Sequence, residues 1–317
     1  MIGTNLAETL FNSLSFSSIL ILTALGLAIT FGVMRVINMA HGEMLMLGAY
    51  TAYVIEDRHA LPTLVRSLGQ LFGQDWQTSF GLELNLFVAI PAAFLFVSAV
   101  GYLLEVSLIR HLYGRPLDTL LATWGVSLIL QQVVKLLFGA DLKAMHIPEV
   151  LDNAIPLGGF SIPLYRVFIV GVTALCLLAV YLWFYKTSFG LQIRAVTQNR
   201  QMAAALGIST RRVDALTFAF ASGLAGVAGC IFAHLYTAKY NMGPDYVVEA
   251  FMTVITGGMG ALFGSVAGGL VIGTGEGIVE KILVNATMAK VVVLLLVIVF
   301  ILFRPAGIFA PKERAYD

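Results

Sequence analysis

Charge is scarce in this chain. Of its 317 residues only 12% are Asp, Glu, Lys or Arg, against roughly a quarter in an ordinary soluble domain. Hydrophobic residues make up 59% and fall in long runs, so lipid is the solvent that suits most of the surface. A net charge of +1, with no basic stripe along a helix face, argues against a nucleic-acid partner. The two cysteines, Cys176 and Cys230, lie inside apolar runs and read as small buried hydrophobes, not a disulfide or metal site. Five histidines, none at helical spacing from another, give no ligand cluster, so no metal is expected. No glycine loop followed by lysine occurs, and the chain has no evident nucleotide site of its own. The opening MIGTNLAETLFNSLSFSSIL has no positively charged start, so it does not read as a cleaved signal peptide.

What is present is a series of apolar runs near the 20 residues a spanning helix needs. They cover Leu10 to Gly32, Met39 to Ile55, Leu86 to Leu104, Leu117 to Phe138, Val167 to Tyr185, Leu216 to Tyr236, Leu262 to Val279 and Ala289 to Phe303. A shorter piece, Val247 to Ile255, precedes the glycine cluster TGGMGALFG. The expectation is an all-α, polytopic transmembrane bundle of about eight membrane segments with short or broken helices, forming one membrane domain over 1–317. Lys186, Arg194, Arg200, Arg211 and Arg212 crowd the loop 186–213, which the positive-inside rule puts in the cytoplasm. Parity then puts the lysine-free start outside.

The stretch RVINMAHGEMLMLGAY, residues 35–50, sets Arg35, Asn38, His41 and Glu43 between apolar runs. Charged side chains inside a membrane usually face a bundle interior or water. Gly32 and Gly42 let the backbone unwind there, and freed backbone is tolerated only where protein buries it or it lines a cavity. Two readings stand: a junction between helices near a membrane face or at a re-entrant bend, or the cytoplasmic turn of a hairpin with Arg35 snorkelling. The segment also has a faint kinship with TGGMGALFGSVAGGLVIGTGE, as in transporters built from inverted repeats.

In the cytoplasmic loop, Thr197 or Asn199 can cap a helix, Gln201 to Leu206 are helix formers and Gly207 fits the stop. So short a helix is marginal alone. It presents Ala203, Ala204 and Ala205 beside Met202 and Leu206, which suits docking into a protein groove better than lying on a bilayer. Farther back, Thr123, Ser127, Gln131 and Lys135 recur every four residues and share a face. Such a stripe either lines a route for a neutral polar solute or bonds a neighbouring helix. Glu276 and Glu280, with Lys281, read as a salt-bridged interfacial end. Glycines at 260, 264, 268, 269 and 273 make small-xxx-small pairs for close helix packing.

Taken together, GLAITFGVMRVINMAHGEMLMLGAY, GLQIRAVTQNRQMAAALGI and LFRPAGIFA resemble the membrane permeases of branched-chain amino-acid ABC importers, the LivH type, in order from about Leu14 to Ala310. Within that family GRPLDTLLATWGVSLILQQ and NMGPDYVVEAFMTVITGGMGALFG look most like the permease subunit of urea importers. The resemblance implies a bacterial inner-membrane subunit, not an enzyme. It implies two cytoplasmic ATPases that hold the ATP and magnesium, a homologous second permease and a periplasmic solute-binding protein. It also implies an ATPase-coupling helix over Gln198, Asn199, Arg200, Gln201, Met202, Ala203, Ala204, Ala205, Leu206 and Gly207. The pathway candidates are Asn38, His41 and Glu43, joined by Thr123, Ser127 and Gln131. The expected solute is urea, with a branched-chain amino acid or short-chain amide as the alternative. Three other classes stay in view: a self-contained urea or amide channel, a secondary transporter using Glu43, Asp118 and Glu276, and an intramembrane enzyme on His41 and Glu43 that lacks a visible third ligand.

Overall fold

The structure, a computed structural model, describes residues 2–34, 36–56, 85–157, 160–258 and 260–309. Arg35, the arginines Arg58 and Arg66 and the tail's Lys312 and Arg314 lie outside the described residues. Among those described are eleven α-helices: α1 (Ile2–Met34), α2 (His41–Glu56), α3 (Asn85–Ser107), α4 (Pro116–Phe138), α5 (Leu164–Lys186), α6 (Ser188–Gln198), α7 (Arg200–Ala205), α8 (Thr210–Leu235), α9 (Gly243–Gly257), α10 (Leu262–Leu283) and α11 (Ala286–Phe303). One antiparallel hairpin, β1 (Ala154–Leu157) with β2 (Phe160–Pro163), fills part of the loop between α4 and α5.

Seven helices, α1, α3, α4, α5, α8, α10 and α11, are long and apolar enough to cross a membrane. The other two apolar runs, 39–55 and 247–255, became α2 of 16 residues and α9 of 15. Both are too short to span about 30 Å at 1.5 Å per residue. The chain is thus a polytopic helical bundle, with the short elements anticipated from its interruptions.

Two spans form the axis. α1 and α8 are mostly buried within the chain, whereas α4, α5 and α11 turn most of their surface outward. Leu22, Leu25 and Leu27 of α1 are closed off, while Leu128, Ile129 and Leu136 of α4 are open, as a lipid-facing or partner-facing helix requires. Small residues let the backbones approach. A side-chain carbon on Gly48 of α2 would collide with the carbonyl of Gly226 in α8, and one on Gly229 with that of Leu45. The glycines of α10 do the same work elsewhere: Gly269 packs on Ile21 and Gly273 on Ser17 of α1, and Gly264 on Gly257 of α9.

The connections sort to two ends. α6 and α7 occupy one end. The start of α1 lies at the other, where Lys281 near the close of α10 donates to the Thr9 hydroxyl at 2.7 Å and Arg166 near the start of α5 to the Asn12 carbonyl at 3.4 Å.

Candidate functional site

The break after α1 is a re-entrant bend. Residues 36–38 belong to no helix or strand, Met39 and Ala40 turn, and α2 begins at His41. His41 Nε2 lies 2.9 Å from the carbonyl of Thr23, eleven residues back along α1, or about 16 Å from its end. Met39 N–H donates to the Thr123 hydroxyl at 3.1 Å, and Asn38 Oδ1 accepts from Ala40 N–H at 3.0 Å. The bend therefore lies level with the middles of α1 and α4, not at a membrane face.

Sequence reasoning missed a second bend. After α8 ends at Leu235, residues 236–242 return into the bundle and α9 opens at Gly243. A side-chain carbon on Gly42 would strike the Gly243 backbone, and one on Gly243 would strike the Glu43 carboxylate. The first turns of α2 and α9 thus abut. α2 runs from this meeting point toward the outer end, where Glu56 reaches His234. α9 runs toward the α7 end, where its Thr256 and Gly257 carbonyls accept from Ile308 and Phe309 N–H at 2.9 and 3.0 Å. The stretch that meets the first bend is 236–246, not the 256–276 segment whose kinship was expected. The shared signal is Asn-Met followed by glycine and an acid, in NMAHGE and NMGPD.

Two helix N-termini facing each other bring two positive dipole ends together. Glu43, wholly buried, stands at that junction and offsets them. Its Oε1 accepts from the Ser127 hydroxyl and from Gln131 Nε2, each at 2.8 Å, and Gln131 also reaches the Ser127 oxygen at 3.1 Å. Asn38, His41, Glu43, Thr123, Ser127 and Gln131 are thus all drawn to one place. The stripe on α4 bonds α2, the neighbour-bonding alternative, and is committed within the fold. Asn38 Nδ2, His41 Nδ1 and Glu43 Oε2 remain buried without a partner, so the cluster keeps unspent hydrogen-bonding capacity.

At the α7 end, the single helix expected over 198–206 divides at Asn199. Gln198 closes α6, an eleven-residue helix the sequence reading left as loop. It is capped by Thr187, whose oxygen accepts from Gly190 N–H at 3.0 Å. Asn199 Oδ1 accepts from Met202 N–H at 2.9 Å and starts α7. Gly207, at φ 86°, ends it, with Gly207 N–H on the Ala204 carbonyl and Ile208 N–H on that of Ala203, each at 3.0 Å. Ala203 is turned inward at 3% exposure, so the three alanines do not form one outward face. Gln201, Met202, Ala204, Ala205 and Leu206 are exposed beside a 420 Å³ groove that also reaches Ala195 and Gln198.

α7 is wired to the bundle. Arg200 pairs with the buried Asp214 in the first turns of α8, and its guanidinium lies 4.9 Å over the Tyr113 ring. The Tyr113 hydroxyl donates to Glu105 Oε1 at 3.1 Å, and Arg110 pairs with Oε2 at 3.2 Å. Burial, followed by the Asp214 and Glu105 charges, pushes the Tyr113 phenol far above its ordinary value, so it stays a neutral donor. One residue of α7 is thereby tied to α8, α3 and the α3–α4 corner. Arg200 alone among these was anticipated.

Residues 9–302 match the family described as branched-chain amino acid transport system / permease component. The chain belongs to that family. It is 30% identical to the high-affinity branched-chain amino acid transport permease BraD of Pseudomonas aeruginosa, with 96% of each chain covered. It is 28% identical to LivH of Salmonella typhimurium, again over 96% of each. It is 26% identical to a probable LivH of Methanocaldococcus jannaschii, over 92% of this chain and 89% of that one. No solved structure matches the chain. Family membership makes it a multi-pass inner-membrane permease component of a transport system.

Proposed function

We propose that this chain is the permease subunit of an ATP-driven importer of a branched-chain amino acid. Of two cytoplasmic ATPases, which hold the ATP and magnesium, one seats on α7. A homologous permease pairs with the chain across the membrane, and a periplasmic binding protein delivers solute to the end opposite α7. The observation that carries the reading is α7 itself: a six-residue helix, capped at both ends, exposed along Met202, Ala204 and Leu206 and joined to α8 through Arg200 and Asp214. A helix that short holds its shape only when tied down, and an exposed tied helix suits transmission of force from a docked motor.

The amino-acid solute displaces urea for two reasons. The named relatives are amino-acid permeases. The residue argument for urea rested on Thr123, Ser127 and Gln131 as a free polar stripe, and their bonds to Met39 and Glu43 now occupy it. The α2–α9 junction, held by α4, is the element whose rearrangement would switch access between faces.

ATP-dependent uptake of labelled leucine and labelled urea by the complete importer in vesicles tests this reading. Leucine uptake that Ala204→Trp abolishes, with the assembly still inserted, is the expected result. Full uptake with Ala204→Trp, or transport by the chain alone without ATPases, would overturn it.

A further inference from the structure

A cavity of about 740 Å³ lies at the end opposite α7, walled by α1, α9, α10 and α11 and the start of α5. Glu276 of α10 lines it. This residue is only 5% exposed, and its Oε1 has no hydrogen-bond partner. Lys290 of α11, also on the wall, is paired with Glu249 of α9. Glu249 is itself 2% exposed, with its second oxygen unpartnered. Glu276, Glu249 and Lys290 lie within electrostatic reach of one another. The two buried carboxylates therefore face one ammonium between them, with the exposed Glu280 and Lys281 on the same cavity wall.

A buried charge without its counter-charge is costly, and a cation entering such a place is favoured by relief of that cost. A salt-bridged interfacial end, the expectation for Glu276, would not leave this deficit. Arg166 at the rim has one hydrogen bond among the described residues, the long contact to the Asn12 carbonyl at 3.4 Å. Its guanidinium keeps the donors that a carboxylate accepts in pairs. Phe16, Tyr236 and Tyr246 supply an aromatic wall, with Phe16 edge-on to Tyr236 at 6.5 Å.

We propose that this cavity is the intake site for the zwitterionic head group of an aliphatic amino acid. Glu276 receives the ammonium, Arg166 the carboxylate, and the aromatic wall the apolar side chain. A neutral amide such as urea brings no charge to Glu276 and leaves the deficit in place. Tyr246 and Glu249 belong to α9, the half-helix whose first residue meets Glu43, so occupancy is felt at the junction of the two bends. The proposal deepens the importer reading and rests on it.

The test uses the complete importer in vesicles with saturating binding protein, comparing leucine and urea uptake for the natural chain, Glu276→Gln, Arg166→Gln and Glu149→Gln, an exposed acid away from the cavity wall. Glu276→Gln should lower leucine uptake by roughly tenfold or more, and Arg166→Gln by about threefold to tenfold, as expected for lost charge pairs to a transported group. Glu149→Gln should stay near normal. Unchanged leucine uptake in both variants overturns the site and leaves the importer reading standing. Urea uptake without leucine uptake by the natural chain overturns the solute class, and with it the site. If Glu276→Gln fails to assemble, Arg166→Gln at the rim decides, and normal leucine uptake there overturns the proposal.

Discussion

The two re-entrant bends meet at a single point, yet they are built from opposite materials. The first, ending at His41–Glu43, is sealed: Asn38, His41 and Glu43 are each at most 1% exposed, and its acid is held by α4. The second, ending at Gly243–Asp245, keeps its acid outside, where Asp245 accepts from Lys239 at 2.8 Å with both side chains open to solvent. Lys143 and Ala238 bridge its upper part to the α4–α5 loop. One bend is held by buried hydrogen bonds and the other by contacts nearer the surface.

The largest expected effect is at the contact itself. Gly42→Ala pushes a methyl into the Gly243 backbone, and Gly243→Ala pushes one into the Glu43 carboxylate, which can move only by giving up its bonds from Ser127 and Gln131. Overpacking of a tight core costs about 1–3 kcal/mol or more. Both variants should lose stability in that range, read as thermal stability of the purified assembly. A negligible loss in either would show that the two bends do not pack against each other.

Next is the acid of each bend. Glu43→Leu strips both bonds from Ser127 and Gln131 and leaves buried donors unmet, a cost of about 1–3 kcal/mol each. Glu43→Gln retains an acceptor and should recover most of that loss. Asp245→Asn removes an exposed pair and should change stability by less than about 1 kcal/mol. Thermal melts of the three variants check the order.

An effect on function as well as on stability is expected at the link to α7, where a buried charge loses its partner. Arg200→Gln leaves Asp214 buried without its partner. Uptake should fall by about tenfold while ATP hydrolysis continues, since the ATPase still docks on Met202 and Leu206 but its movement no longer reaches α8. Parallel measurement of uptake and phosphate release gives the ratio, and an unchanged ratio would show that the force takes another route.

The bend at 35–43 was legible because charge inside an apolar run is costly and therefore conspicuous. The bend at 236–243 was not, since TAKYNMGPDY is also what an ordinary outer loop looks like. Only contact with Gly42 distinguishes the two. Likewise, Asn199 and Gly207 announced the ends of α7 through local backbone chemistry, whereas nothing local to Asp214, Tyr113 or Glu105 says that they gather around Arg200.

The expected count of about eight spans falls to seven among the described residues because 39–55 forms only the 16-residue α2. By itself, the sequence determined the lipid solvent, the long apolar helices, the break at 35–43 and the Gly207 stop of α7. Each of these depends on apolar run length or on hydrogen bonds within a few residues. The tertiary structure alone decided that α2 and α9 meet head to head, that the stripe on α4 holds Glu43, that Ala203 faces inward, and that Glu276 and Glu249 face Lys290. Those facts depend on which distant backbones approach closely enough to bury a charge, and periodicity along one helix carries no record of its neighbours.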